Sequence, residues 1–207
     1  MRVIGIDPGT AITGWGVVEL NNGILKSIGF GCIKTTLERS KGERLKKIYN
    51  DLLAVITDMK PDAMAIEKIF FNINVKTALS VGQARGVCLL AAAIAGVPTY
   101  EYNTSEVKSF ITGYGRSTKS EVATKVKEIL HLEEIPKPDD VTDALAIAAT
   151  HLSLKLIQQQ GVGDSPAEKG HKRDVNPILR PGQVCMYKGI DKFLHHDHED
   201  YDKQPIF

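Results

Sequence analysis

Over the first thirty-five residues the hydrophobic positions come in short runs broken by turn residues, the pattern of strands rather than helices. Val3–Ile6, Ile12–Leu20 and Gly23–Thr35 read as three strands. Asn21-Asn22-Gly23 predicts a tight hairpin between the last two, because Asn and Gly tolerate positive φ. The result is an antiparallel meander. The period then changes. Leu45, Ile48, Leu52, Val55 or Ile56, and Met59 recur at helical spacing, with Lys46, Lys47, Asn50 and Asp51 on the other side and Pro61 as the stop. Ala63–Ile66 is apolar without alternation, as expected of a parallel strand beneath a helix.

The rest alternates in the same way. Residues 70–74 read as a loop with Asn74 as candidate N-cap, followed by a helix over Val75–Gly96 and a strand over Pro98–Tyr102. Thr104 or Ser105 can cap a short helix to Phe110. Gly113-Tyr114-Gly115 then breaks the chain, and Ser117 or Thr118 can open a helix to Leu130. After Ile135-Pro136-Lys137-Pro138, a helix opened by Asp139 or Asp140 repeats Val141, Ala144, Leu145, Ala148 and Leu152 at helical spacing. The order predicts an α/β fold: a mixed five-stranded sheet, three antiparallel strands then parallel crossovers, flanked by helices. From Gln158 the chain is polar and rich in Gly and loses periodicity, so the expected organisation is a globular domain over 1–157 and a flexible tail over 158–207.

Composition adds limits. Nothing in the 207 residues is long and apolar enough to span a bilayer: the longest uninterrupted apolar stretch is Val87–Ala95. The N-terminal residues resemble no export signal, and Cys32, Cys88 and Cys185 are odd in number and widely spaced, so a reducing cytoplasm is expected. The net charge of +1 permits a nucleic-acid partner without arguing for one. Residues 1–157 hold 19 basic and 17 acidic side chains, and acids that bind metal would leave the remaining surface more positive.

The candidate chemistry lies in four acids. Asp7 ends the first strand, before the Pro8-Gly9 turn, and Glu67 ends the parallel strand. In an open sheet of this connectivity both leave at the end where ligands bind. Asp140 and Asp143 are three apart and share a helical face. Singly, each has an ordinary use: turn residue, surface partner, N-cap, or favourable charge at a helix start. Jointly, they are costly without a cation. Oxygen ligands with no nearby His or Cys suit a hard ion, Mg²⁺ or Mn²⁺, and two-metal phosphodiester hydrolysis.

Gly5-Ile6-Asp7-Pro8-Gly9-Thr10 with Thr13-Gly14, Ala65-Ile66-Glu67 followed by Phe70, Gly82-Gln83-Ala84-Arg85-Gly86, and Asp140-x-x-Asp143-Ala144-Leu145-Ala146 together closely resemble the RuvC family of Holliday-junction resolvases. The resemblance covers residues 1 to about 157. It implies an RNase H-like fold, a homodimer acting on four-way junction DNA, and two Mg²⁺ ions per site, replaceable by Mn²⁺, held by Asp7, Glu67, Asp140 and Asp143. It implies two symmetric nicks leaving 5′-phosphate and 3′-hydroxyl ends, in DNA recombination and repair. It implies that Phe70 stacks on bases at the crossover, that Lys108 and Lys119 lie near the scissile DNA with Lys119 catalytic, and that the protein meets the RuvA and RuvB branch-migration complex. Lys76, Arg85, Arg116 and Lys125 are further candidates for backbone contacts.

Other readings stand beside this one. The helix 75–96 carries Ala78, Gly82, Ala84, Gly86 and Ala91–Ala93, which would let either the chain's own sheet or a second copy approach closely. Asp7-x-Gly9-Thr10 also looks like the first phosphate loop of actin and sugar-kinase ATPases, though no second loop is found. A non-catalytic junction binder and an RNase H-like nuclease acting on RNA complete the alternatives. In the tail, His195-His196-Asp197-His198 with Glu199, Asp200 and Asp202 follows no standard zinc spacing, and a solvated segment is expected.

Overall fold

A computed structural model describes residues 1–68 and 75–159, without the side chains of 75–77 and 159. β1 (Arg2–Asp7), β2 (Ile12–Asn21) and β3 (Ile24–Lys34) form the expected meander, β1 and β3 each antiparallel to β2. The hairpin turns at Asn22 and Gly23, with φ of 50° and 78°. Both residues have the left-handed backbone that a tight hairpin demands.

The chain then passes through α1 (Lys41–Met59), β4 (Ala63–Glu67), α2 (Val75–Ile94) and β5 (Thr99–Tyr102). β4 pairs parallel with β1, and β5 with β4, giving sheet order β3-β2-β1-β4-β5. Three helices complete the domain: α3 (Thr104–Thr112), α4 (Lys119–Ile129) and α5 (Asp139–Gln159). α5 extends two residues past the expected domain boundary at 157. Residues 160–207, the expected flexible tail with its His-rich end, lie outside the described residues. Among those described, no helix is long and apolar enough to cross a membrane.

Two cores sandwich the sheet. Ile4, Ile6, Met64 and Ile66 point to one face, where Ile48, Leu52 and Ile56 of α1 and Ala84, Cys88 and Ala91 of α2 cover them. Of the two alternatives in α1, Ile56 is the buried one. Val3, Val18, Ala63 and Ala65 point to the other face, against α3, α4 and above all α5. The alternation follows the two-residue period of the strands.

α5 lies directly on β1 and β2 because three glycines let it. A Cβ on Gly5 would stand inside contact distance of the Ala144 carbonyl oxygen and 2.9 Å from the Ala148 nitrogen. One on Gly14 would collide with the Asp140 carbonyl and stand 2.9 Å from its Cβ, and one on Gly16 would lie 2.6 Å from Leu145. Close approach of helix to sheet therefore fixes the height of the first turn of α5 above the end of β1.

Local signals set the helix ends. Ser40 caps α1 and Thr118 caps α4, each in a reciprocal box with Glu43 and Glu121 respectively. The start of α3 differs from expectation. Asn103, ahead of both Thr104 and Ser105, is the cap position, and its N–H donates to the Glu106 carboxylate at 2.7 Å. Thr104 is thereby freed for another partner.

Candidate active site

Register brings the strand acids together. Ile6 is paired with Ile66, so the next residues out, Asp7 and Glu67, end adjacent parallel strands side by side. Asp7 also lies opposite Gly14, and Glu67 opposite Tyr102. By alternation, Asp7 shares the α5 face with Val3 and Gly5. The bare surface of Gly14 receives the backbone of Asp140, which delivers the start of α5 beside Asp7.

The electrostatics record the convergence. Burial, and then the charges of Glu67, Asp143 and Asp140 in that order, push the Asp7 carboxyl up to about 8, with Lys119 opposing them. The other three predicted acids therefore all act on Asp7. Asp139 does not join them: its carboxylate pairs with Lys137 at 3.0 Å. Lys119, the first residue of α4, donates to Asp143 at 3.0 Å. That bond, with the charges of Asp143, Asp7 and Asp139, holds the ammonium above its ordinary pKa.

The acids are neighbours rather than a finished cage. Among the described residues no three His, Cys, Asp or Glu side chains close into a metal-binding group. Asp143 is turned to Lys119, and Glu67 accepts a hydrogen bond from the Thr104 hydroxyl. Four carboxylates, one with its pKa strongly raised by burial and by the charges of the other three, fit a hard divalent cation.

Arg85, a candidate for backbone contacts to DNA, has partners within the chain. Its Nε donates to the Glu67 carbonyl at 3.2 Å, and its guanidinium forms a half-buried ion pair with Glu101 on β5. Arg85 thus clamps the backbone that carries Glu67, and Thr104 holds the side chain. Behind them, buried His151 of α5 meets the Tyr102 hydroxyl at 2.7 Å through Nδ1 and packs at a 46° tilt against the Tyr100 ring. Burial, helped by Lys155, pulls His151 down to about 4, so it is a neutral brace between α5 and β5. On the other flank, the turn after Asp7 is tied by Thr13 to the Gly9 carbonyl and by Thr10 to Ser80 of α2, both at 2.7 Å.

The RuvC crossover junction endodeoxyribonuclease family model matches residues 3–151, which takes in Asp7, Glu67, Asp140 and Asp143. The chain belongs to the RuvC family. It is 51% identical over 148 residues to the RuvC crossover junction endodeoxyribonuclease of Heliobacterium modesticaldum, a match covering 72% of this chain and 91% of that one. Its fold is similar to that of Thermus thermophilus RuvC in complex with Holliday junction substrate, with TM-score 0.70 and 40% identity over 73% of this chain and 93% of the other. The yeast mitochondrial Holliday junction resolvase Ydc2, at 12% identity and TM-score 0.52, shares the fold over 72% of this chain and 76% of that one. RuvC-family membership over this span displaces the phosphate-loop ATPase reading of the first motif.

The remaining candidates divide. Lys108 is half-buried and Arg116 exposed, on α3 and in the α3–α4 connection. Phe70 and the side chain of Lys76 lie outside the described residues. Thr104 and the clamping role of Arg85 escaped sequence reading, because a hydroxyl at a helix start and an Arg inside a small-residue helix each have commoner uses. Arg85→Gln should raise the metal concentration needed for half-maximal cleavage by roughly ten-fold, as loss of a supporting partner does, with junction affinity unchanged. A phosphate contact would instead lower the slope of log affinity against log salt by about 1; a metal titration and a salt titration separate the two.

Proposed function

We propose that this chain is a structure-selective endodeoxyribonuclease that resolves four-way (Holliday) junctions by two symmetric nicks. The observation that carries the proposal is the meeting of Asp7, Glu67, Asp140 and Asp143 at one sheet end, in a RuvC-family chain. These four would hold Mg²⁺, with Mn²⁺ as a substitute and two ions per site, and the bound metal would supply charge stabilisation to the attacking water and the leaving oxygen of an in-line displacement. The residues do the positioning. Thr104 and Arg85 orient Glu67, and the glycine contacts set Asp140 and Asp143 against Asp7. Lys119, charged and held at 3.0 Å from Asp143, is placed to pair with the scissile phosphate and to offset the negative field that would repel DNA. Cleavage in this manner leaves 5′-phosphate and 3′-hydroxyl ends.

A junction with approximate two-fold symmetry calls for two sites related by the same axis. Support for a homodimer comes from α2, where Leu79, Leu90 and Ile94 are 62%, 53% and 58% exposed. They follow a helical stripe with Gly86, whose missing Cβ would meet nothing within 4 Å in this chain. A small residue without an internal reason suits the close approach of another helix. Association with a branch-migration complex belongs to the same reading.

The test compares a synthetic four-way junction, a linear duplex and an RNA/DNA hybrid in one gel. Paired, ligatable nicks in the junction alone support the proposal, and preferential cleavage of the hybrid would favour an RNA-directed nuclease.

A further inference from the structure

Four acids at one sheet end repel the phosphates they must cut, so DNA has to be held from the flanks. One flank is Lys119 on α4. The opposite flank lies beyond β3, in residues 34–47, which hold six basic side chains against two acidic ones.

Topology brings this segment to the acids. β3 runs parallel to β1, since both are antiparallel to β2, so the end of β3 and the start of α1 lie at the sheet end that carries Asp7. Across that end Asp7 faces Gly14 and Gly14 faces Cys32. Lys34 is two residues beyond Cys32, so it shares the face that Asp7 occupies. Two strand spacings separate β3 from β1, about 10 Å, or roughly three base-pair steps of duplex rise.

Hydrogen bonds fix the segment to the site. The Thr35 N–H donates to the Ala11 carbonyl at 3.0 Å, and its hydroxyl donates to the Thr10 carbonyl. Arg44 Nε donates to the Thr35 hydroxyl at 2.7 Å. These bonds lead to the turn that follows Asp7. Meanwhile Lys34, Arg39 and Lys41 are exposed, and none of the ion pairs among the described residues involves them. Glu43, one of the two acids, is occupied by the Ser40 cap.

We propose that Lys34, Arg39 and Lys41 form a DNA-backbone site, holding phosphates of a junction arm a few nucleotides from the cut, with Arg44 and Thr35 fixing their distance from Asp7. The inference rests on the junction-nuclease reading and adds a binding surface to it.

The test measures the affinity of the full chain for a synthetic four-way junction against salt, in Ca²⁺ to prevent cutting. K34Q/R39Q/K41Q is compared with wild type and with K26Q/K60Q, which removes charge at the opposite sheet end. Three lost phosphate contacts should flatten the slope of log affinity against log salt by about 2 to 3. The control should match wild type, and all three proteins should melt together, since the substituted side chains are exposed. A slope and affinity equal to wild type in the triple variant would overturn the inference while leaving the nuclease reading intact. An equal loss per charge in the control would also overturn it, as an effect of net charge alone. Failure of wild type to bind the junction would remove both.

Discussion

Asp7→Asn should reduce junction cleavage by on the order of 10³-fold or more, while junction binding is kept and the metal-free protein melts at a higher temperature. The first effect follows from removing a central oxygen donor of the cation site, because loss of about 4 kcal/mol of transition-state stabilisation corresponds to that factor. The second follows from linkage. In the folded protein Asp7 holds its proton up to about pH 8, against 3.8 for the ordinary group. Between those values the folded state binds more protons than the unfolded chain, so wild-type stability falls as pH rises from about 4 to about 8. At pH 7 the deficit has a ceiling of about 4 kcal/mol. The substituted amide cannot ionise, so the variant should lose this slope and gain stability near neutrality. Added Mg²⁺ should stabilise wild type more than the variant, since ligand binding to the folded state adds stability by mass action. Melting curves at pH 5, 7 and 8.5, with and without metal, check all of this. A variant that cuts at the wild-type rate would refute the assignment of Asp7.

Gly14→Ala should cost about 3 kcal/mol or more, because the added methyl meets backbone rather than a movable side chain. A Cβ there collides with the Asp140 carbonyl, and Asp140 opens the helix that carries half the acid cluster. For a domain of this size the loss corresponds to a fall in Tm of roughly 6–12 °C. Activity should fall further than stability predicts. To accommodate the methyl, α5 must lift from the sheet, carrying Asp140 and Asp143 away from Asp7. Differential scanning calorimetry and cleavage at a temperature where the variant remains folded separate the two effects. Full activity in a folded variant would contradict the close-approach account.

The acids were legible because their cause is local. A carboxylate that ends a buried apolar run is visible at Asp7 and again at Glu67, and the spacing of Asp140 and Asp143 puts them on one helix face. The hairpin at Asn22-Gly23 and the helical period of α1 could be read for the same reason. What sequence did not disclose depends on contacts between distant segments. Gly14 is visible as part of a motif, yet its purpose appears only when α5 lies on it. Sequence marked Arg85 only as a basic residue and gave no sign of its partners, the Glu67 carbonyl, eighteen residues away, and Glu101. Thr104 looked like a helix cap, until Asn103 took that position and left its hydroxyl for Glu67. The basic segment before α1 acquired meaning through strand order, which places β3 two strands from Asp7.

In the proposed function, four acids at one sheet end make this RuvC-family chain a metal-dependent junction nuclease. Its most direct test is a four-way junction labelled on each strand, incubated with wild type and with Asp7→Asn, with Mg²⁺ and with EDTA. Wild type in Mg²⁺ should give two symmetric nicks with ligatable ends, and the other three reactions none. Equal cutting in EDTA, or by the variant, would contradict that function.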